Sequence, residues 1–315
     1  MTHSKSFCKR ISTGGATWFP AILAIALVLA LAVPACSPGE PAGGFVVDDL
    51  GRLVVIEGIP QRIVSLAPAN TEILFALGLG EKVVGVTEFC NHPPEALDKE
   101  KVGGYYPPDI EKIIALGPDL ILATDIHRHE VIPALEEKGL TVFALAPQTL
   151  DEVLESIQKA GTVTGKEEEA LELVSEMESK IEEIEERTSD LEERPRVFYI
   201  TWHDPLWTVG RQTWIDDLIT IAGGANIFSQ YFQSGAMVEL EWVISLNPEV
   251  IIASQWSFEW ANNATELELT DARQNDRVYQ SEDDLVQRSG PRLVNALEWF
   301  AHFIHPEIFD EPEGS

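Results

Sequence analysis

The chain has 315 residues, 45% hydrophobic and 23% charged, which is long enough for two domains with ordinary cores and unlike a disordered composition. Its 52 acidic residues against 22 basic ones leave a formal charge of -30, and no basic stripe runs along it, so a nucleic-acid-binding surface is excluded. Such acidity suits a soluble protein that meets a positively charged partner, and equally a solubility or salt adaptation.

Residues 1–36 carry Lys5, Lys9 and Arg10, then an uncharged run from Phe19 to Val33, then Val33-Pro-Ala-Cys36. A basic start, an apolar stretch and a small residue before cysteine resemble a bacterial lipoprotein signal peptide, which implies cleavage and a lipid anchor on Cys36. The alternative is an uncleaved transmembrane anchor, although the apolar run from Trp18 to Ala35 barely reaches the ~20 residues that a spanning helix needs. Either arrangement puts the remainder outside the cytoplasmic membrane, in the periplasm or on the outer face of the cell membrane. With Cys8 removed and Cys36 lipidated, Cys90 is the last thiol and no intrachain disulfide can form. Cys90 itself reads as a small buried hydrophobe, with ligand contact as the alternative.

Residues 37–61 read as a Pro/Gly tether followed by a hairpin, with Asp49-Leu-Gly51 as the turn between Val46-Val47 and Leu53 to Ile56. An N-terminal lobe is expected over 62–164. Its strands are Arg62 to Ala67, Val83 to Val86, Asp119 to Thr124 and Thr141 to Leu145, and its helices include Asn70 to Leu77 and His129 to Lys138. Over 165–194, Val174, Met177, Ile181, Ile184 and Leu191 recur at helical spacing among acids, predicting one long connecting helix with a solvated face. A single stiff connector implies small domain motion. A C-terminal lobe over 195–315 repeats the pattern, with strands Arg196 to Thr201, Glu249 to Ser254 and Arg277 to Gln280 and helices Gln212 to Ala222 and Pro291 to Ile304.

One stretch occurs twice: Asp109-Ile-Glu-Lys-Ile-Ile-Ala-Leu-Gly-Pro-Asp-Leu-Ile-Leu-Ala123 and Glu239-Leu-Glu-Trp-Val-Ile-Ser-Leu-Asn-Pro-Glu-Val-Ile-Ile-Ala253. In each, a short helix is stopped by Gly-Pro or Asn-Pro and an acid leads into a continuous aliphatic run, the signature of a strand buried on both faces of a parallel sheet. The fold class is therefore α/β: two homologous Rossmann-like lobes joined by one long helix, with a ligand cleft between them.

Ligands of open parallel sheets sit beyond the carboxyl ends of the strands. That rule selects Phe89, Trp202, His203 and Trp256, to which Tyr105 and Tyr106 before the first repeat and Trp207 after the second lobe's first strand are added. Aromatic faces with a few polar groups suit a large, flat, partly apolar ligand. Trp214, inside a helix, is assigned to the core. His127 and His129 read as solvent-facing residues of a polar loop, so no protein metal site is expected, while His203 either coordinates a bound ligand's metal or hydrogen-bonds the ligand. No nucleophile elbow, phosphate loop or paired-His zinc helix is present, and a ligand-modifying enzyme would have only Glu88, Asp125, His203 and Asp204 as acid or base. Non-enzymatic binding is the reading that follows. Glu111 and Glu241 occupy equivalent places in the two copies, where an acid in a helix's first turn is stabilised by the dipole. Two symmetric carboxylates also suit a two-fold partner that offers two arginines.

The run Arg62-Ile-Val-Ser-Leu-Ala-Pro-Ala-Asn-Thr-Glu72, with Gly85-Val86, Asn91-His-Pro-Pro-Glu95, Val102-Gly-Gly104 and the Glu111 repeat, resembles the periplasmic cobalamin- and iron-siderophore-binding proteins of ABC importers over most of residues 45–305. The motifs are specific for the family and much less so for its ligand. The resemblance implies a monomeric binding protein of two lobes, a ligand between them, and one glutamate per lobe, here Glu111 and Glu241, docking onto arginines of a dimeric permease served by an ATPase. It is closest to the cobalamin-binding branch, whose cleft aromatics match Phe89, Tyr105 and Trp207. Thr124 and the neighbourhood of Gly235 stand where that branch can place tryptophans. A corrinoid is the expected ligand, with a ferric siderophore or haem as the alternative.

Overall fold

The computed structural model describes residues 44–312. Cys36, the leader and nearly all of the tether lie outside the described residues. Along the first lobe run strands β1 (Gly44–Val47), β2 (Leu53–Ile56) and β3 (Ile63–Ser65), helix α1 (Pro68–Ala76), β4 (Val83–Val86), β5 (Glu100–Lys101), α2 (Ile110–Leu116), β6 (Leu120–Ala123), α3 (Val131–Glu136), β7 (Val142–Ala144) and α4 (Leu150–Thr164). Helix α5 (Glu167–Thr188) leads to the second lobe: β8 (Arg196–Ile200), β9 (Trp202–His203), β10 (Leu206–Thr208), α6 (Trp214–Ile221), β11 (Ala225–Asn226), β12 (Ala236–Met237), α7 (Leu240–Leu246), β13 (Val250–Ala253), α8 (Phe258–Asn263), α9 (Asp271–Gln274), β14 (Val278–Gln280), α10 (Asp283–Val286) and α11 (Leu293–Ile304).

Two parallel sheets form the lobes, in the orders β5-β4-β3-β6-β7 and β11-β8-β13-β14. Apart from the short edge strand β5, the second order is the first repeated, with β8 in the place of β3 and β13 in the place of β6. The duplicated stretch explains this in atoms. Gly117 and Asn247 end α2 and α7 in the left-handed region, at φ 56° and 46°. Arg62, at the start of β3, donates from Nη2 to Leu116 O at 2.5 Å, and Arg196, at the start of β8, donates from Nε to Asn247 O at 2.8 Å. The acid after each proline completes the unit, because Asp119 Oδ1 accepts from the Arg62 backbone N–H at 2.9 Å and Glu249 Oε2 from that of Arg196 at 2.9 Å. Each copy thus satisfies the orphan carbonyls of its helix with the arginine that opens the neighbouring strand.

The central strands β3, β6, β8 and β13 are buried on both faces, and alternate residues enter different cores. Leu120, Leu122, Val197, Tyr199, Val250 and Ile252 join one cluster that also takes in α1, α4, α5, α6 and α11. Ile121 and Ala123 turn instead into a cluster confined to the first lobe, and Phe198, Ile200, Ile251 and Ala253 into one confined to the second. The lobes therefore share a single hydrophobic core on their inner faces.

One long helix, α5, connects the lobes, and the first lobe ends in a further helix that the sequence reading did not include. Helix α4 precedes α5, and it carries its own signals: the Thr149 side chain accepts from the Glu152 N–H, and Gly165 ends it at φ 68°. The two helices pack so closely that a β-carbon on Gly161 would stand 2.5 Å from that of Ala170. Helix α5 stops at Thr188, whose hydroxyl donates to Ile221 O at 2.7 Å, so Leu191 lies beyond the helix. A buried ion network adds a second tie. The Glu72 carboxylate, on α1, accepts from Arg288 Nη1 at 2.9 Å and from Arg292 Nη2 and Nε at 2.7 and 3.0 Å. Asn91 accepts from Arg288 at 2.7 Å and donates to Asp284 at 2.9 Å.

Glu72 is the buried anion of this network, with its side chain 3% exposed. Removing it strands two largely covered guanidinium groups, and losing one partner of a buried pair costs about 3–5 kcal/mol. Urea unfolding of Glu72→Ala should show a loss of that size, partly recovered in Glu72→Gln. An unchanged urea midpoint in Glu72→Ala would mean that the network does not hold the lobes.

Candidate functional site

A cavity of about 460 Å³ opens at the carboxyl edge of the first sheet. Strand order there reverses between β3 and β6, since β4 continues outward from one and β7 from the other. The reversal leaves a crevice, and the cavity occupies it. Its wall is made by Ala67–Asn70 after β3, Phe89 after β4, Tyr105, Thr124–Ile126 after β6, Leu145–Gln148 after β7, and, from the second lobe, Trp214 and Gln287–Ser289.

Tyr105 is held in this wall at both its hydroxyl and its backbone oxygen. Its hydroxyl lies 3.2 Å from Thr124 Oγ1, and its backbone oxygen accepts from His127 Nε2 at 2.8 Å. The His127 ring stands edge-on to the tyrosine ring, with centroids 5.5 Å apart. Nδ1 of His127 accepts the Thr124 backbone N–H at 3.1 Å, which assigns the proton to Nε2. His127 is therefore not a solvent-facing loop residue: it is fully buried, because the turn after β6 folds back and caps itself with Thr124. Burial lowers its pKa below the ordinary 6.5, against the two backbone hydrogen bonds, which raise it.

Behind the wall, Thr71 and Thr87 hydroxyls lie 3.1 and 3.2 Å from the buried Cys90 thiol, which is free. Asn70 donates to Ala123 O at 2.9 Å and ties the floor of the cavity to β6. The segment after β7 carries further cross-lobe bonds: Trp214 N–H donates to Gln148 O at 2.7 Å, and Leu150 N–H to Asp217 Oδ2 at 2.8 Å. Burial raises the Asp217 pKa, the Leu150 hydrogen bond lowers it, and the neighbouring Asp216, Asp151 and Glu152 raise it further.

Of the residues selected from the sequence, Phe89 and Tyr105 line this cavity. Tyr106 does not. It is exposed, donates to Glu130 Oε2 at 2.8 Å, and has its pKa raised by that bond. Trp202, His203, Trp207 and Trp256 lie outside this cavity, on the segments that follow β8 and β13 of the second sheet. There β9, β10 and β12 form a small antiparallel sheet in which Trp202, Trp207 and Met237 are register partners, all exposed. His203 lies between the rings of Trp202 and Trp260, at 5.4 and 5.6 Å, and its Nδ1 is 3.3 Å from Ser257 Oγ. Trp256 is exposed at the end of β13.

Trp214 corrects its assignment to the core alone: it packs against the core, donates from Nε1 to Val286 O at 2.8 Å, and lines the cavity. Arg288 was not selected from the sequence, although the strand-end rule applied to β14 points to its loop. Among the described residues, no three His, Cys, Asp or Glu side chains gather as a metal site. Glu111 and Glu241 are both exposed and both second in their helices.

The family description "Periplasmic binding protein" matches residues 63–285. The chain belongs to the periplasmic binding protein family. It is similar to an uncharacterised ABC transporter substrate-binding lipoprotein, YvrC, of Bacillus subtilis, with 35% identity over 82% of this chain and 84% of that one. Among solved structures it is similar to the vitamin B12-binding protein BtuF of Vibrio cholerae (29% identity, TM-score 0.68, covering 78% of this chain and 97% of that one). The haem-binding protein RhuT of Roseiflexus sp. RS-1 is similar too (25% identity, TM-score 0.71, 78% and 98%). This periplasmic binding protein is accordingly a substrate-binding protein of an ABC importer, with a permease and ATPase as partners. No helix among the described residues is long and apolar enough to cross a membrane.

Because the folded His127 has a lowered pKa, the unfolded chain takes up a proton near pH 6.5 that the folded chain refuses. Stability contributed by the neutral imidazole is then complete above pH 6.5 and falls as pH drops below it. Thermal unfolding from pH 7.5 to 5.5 should show a steeper loss in the parent protein than in His127→Asn. Parallel pH profiles would contradict the buried, neutral assignment.

Proposed function

We propose that this protein is a lipoprotein, anchored through Cys36, that captures a corrinoid outside the cytoplasmic membrane and delivers it to its permease by way of Glu111 and Glu241. The observation that carries the ligand assignment is the placement of aromatic groups at the strand-order reversals of both sheets: Phe89, Tyr105 and Trp214 in one, Trp202, Trp207 and Trp256 in the other. Flat apolar faces with few polar groups suit a macrocycle whose rim carries amides. The cavity of about 460 Å³ takes only part of so large a ligand, and the rest extends toward the open side. Similarity to a vitamin B12-binding protein supports the same reading.

A ferric siderophore or haem in the same role is the second reading. Similarity to a haem-binding protein favours it. Calorimetric titration with cyanocobalamin, haem and ferric siderophores in parallel separates the two. Cobalamin should bind saturably and the others should not, and Tyr105→Ala should weaken it by about 1–2 kcal/mol, roughly tenfold in Kd. Tight binding of haem or a siderophore with no response to cobalamin would overturn the corrinoid assignment and leave the transport role in place.

Docking is tested separately. Glu111→Ala combined with Glu241→Ala should leave ligand affinity unchanged and abolish uptake in cells that carry the cognate permease. A matching fall in affinity would place these carboxylates at the ligand rather than at the permease.

A further inference from the structure

The outer face of the N-terminal hairpin is apolar and uncovered among the described residues. Phe45 pairs with Val55 and Val47 with Leu53 across β1 and β2, while Val54 and Ile56 point the other way into the shared core. The four outward side chains are 71%, 45%, 52% and 64% exposed in that order. Single exposed aliphatics are ordinary, but a cross-strand quartet is a contiguous patch of the kind that marks a contact surface. Charges in the hairpin turn are used internally, since Asp48 pairs with Arg52 at 2.5 Å and Asp49 with Lys159 at 2.6 Å. Glu57, beyond the far end of β2, is the exposed acid beside the patch.

Chain length indicates what covers this face. Phe45 is nine residues from Cys36, and nine fully extended residues reach about 30 Å. A folded body of about 270 residues has a radius of gyration of about 18 Å and hence a diameter of about 45 Å. The leash is shorter than the body is wide, so a lipid on Cys36 keeps this hairpin, and not the far lobe, at the membrane.

We propose that the outer face of β1 and β2 seats in the headgroup–acyl boundary of the membrane that holds Cys36, as a second contact beside the lipid chain. The proposal rests on the lipid-anchor reading. Apolar faces bind such boundaries in proportion to the area they bury. A contact at this place also orients the cavity. The Asp49 backbone N–H donates to Ala144 O at 3.1 Å, and Asp49 Oδ2 accepts from the N–H of Ala146, a wall residue, at 2.8 Å. Seating the hairpin therefore sets the height and tilt of the cavity above the bilayer. The charge of -30 opposes an anionic surface, so the contact is read most clearly on phosphatidylcholine.

The test uses the full chain, purified with its lipid and checked at Cys36 by mass spectrometry, on phosphatidylcholine vesicles. Nitroxide is placed on Leu53→Cys and, as a reference on α5, on Leu171→Cys; Cys90 is buried and does not label. Collisions with oxygen relative to a water-soluble nickel chelate should be severalfold more frequent at position 53 than at position 171. Adding Phe45→Ser and Val55→Thr should bring position 53 back toward water. Equal nickel accessibility at both positions in a chain lipidated at Cys36 overturns the proposal and leaves the anchor standing. A membrane-bound chain without lipid on Cys36 overturns the anchor reading and, with it, this one. Dipolar broadening at position 53 that grows with protein density, without a change in accessibility, assigns the face to a second copy and also overturns the proposal.

Discussion

Everything in this structure depends on the core that the two sheets share. Period-2 alternation in β6, β8 and β13 sends every other side chain into it, and the long helices between the lobes close it from the side. Two bodies that bury apolar surface against each other cannot separate or rotate without exposing it, at roughly 25 cal/mol per Å². The Glu72 network adds an electrostatic tie, since moving the α10–α11 loop away from α1 would leave charges in a low-dielectric gap. Relative placement of the lobes is thus a property of the core and not of a flexible linker.

Fixing the lobes in turn builds the cavity. The segment from Leu145 to Leu150 leaves the first sheet, forms cavity wall, and accepts and donates hydrogen bonds across to α6 before α4 begins. Its other side is braced by the Asp49 carboxylate, which also takes Ser156 Oγ at 2.5 Å. Tyr105 is held in the same manner, by Thr124 and His127 from the neighbouring turn. Aromatic groups anchored at backbone and hydroxyl lose little further freedom when a ligand arrives, which favours recognition by preorganised surface.

Much of this was legible in the sequence because the duplicated stretch carries its own physics. Gly117-Pro118 and Asn247-Pro248 stop a helix, and the acid after each proline leads into a buried strand, so two α/β lobes followed from one repeat. Helix α4 went unread although Thr149, Glu152 and Gly165 announced both its ends; next to it, the acid-rich periodicity of α5 was the louder signal. His127 was misread for a different reason. A histidine between Asp125 and Arg128 looks solvated, and only the tertiary fold shows that the turn encloses it. Arg288 and Trp214 reach the cavity through contacts far apart in the chain, Arg288 lying 216 residues from Glu72, and no local pattern reports such contacts.

The two lobes repeat one topology but differ at the place where a ligand would be met. In the first, the crevice at the strand-order reversal holds a cavity, walled by Ala67–Asn70 where a buried helix opens and by Thr124 where the turn folds back on His127. In the second, the corresponding exit from β8 continues into β9 and β10, which raise Trp202 and Trp207 on a small antiparallel sheet and leave them half exposed. Such an arrangement offers a recess on one side and a flat apolar shelf on the other. With a shared core that resists closure, the recess and the shelf keep their relative placement. Glu111 on α2 and Glu241 on α7 are exposed carboxylates on matching helices of both lobes, and each helix is clamped by Arg62 or Arg196 to the first strand of its own sheet. A contact made at either carboxylate therefore bears on a whole lobe and not on a loose surface element.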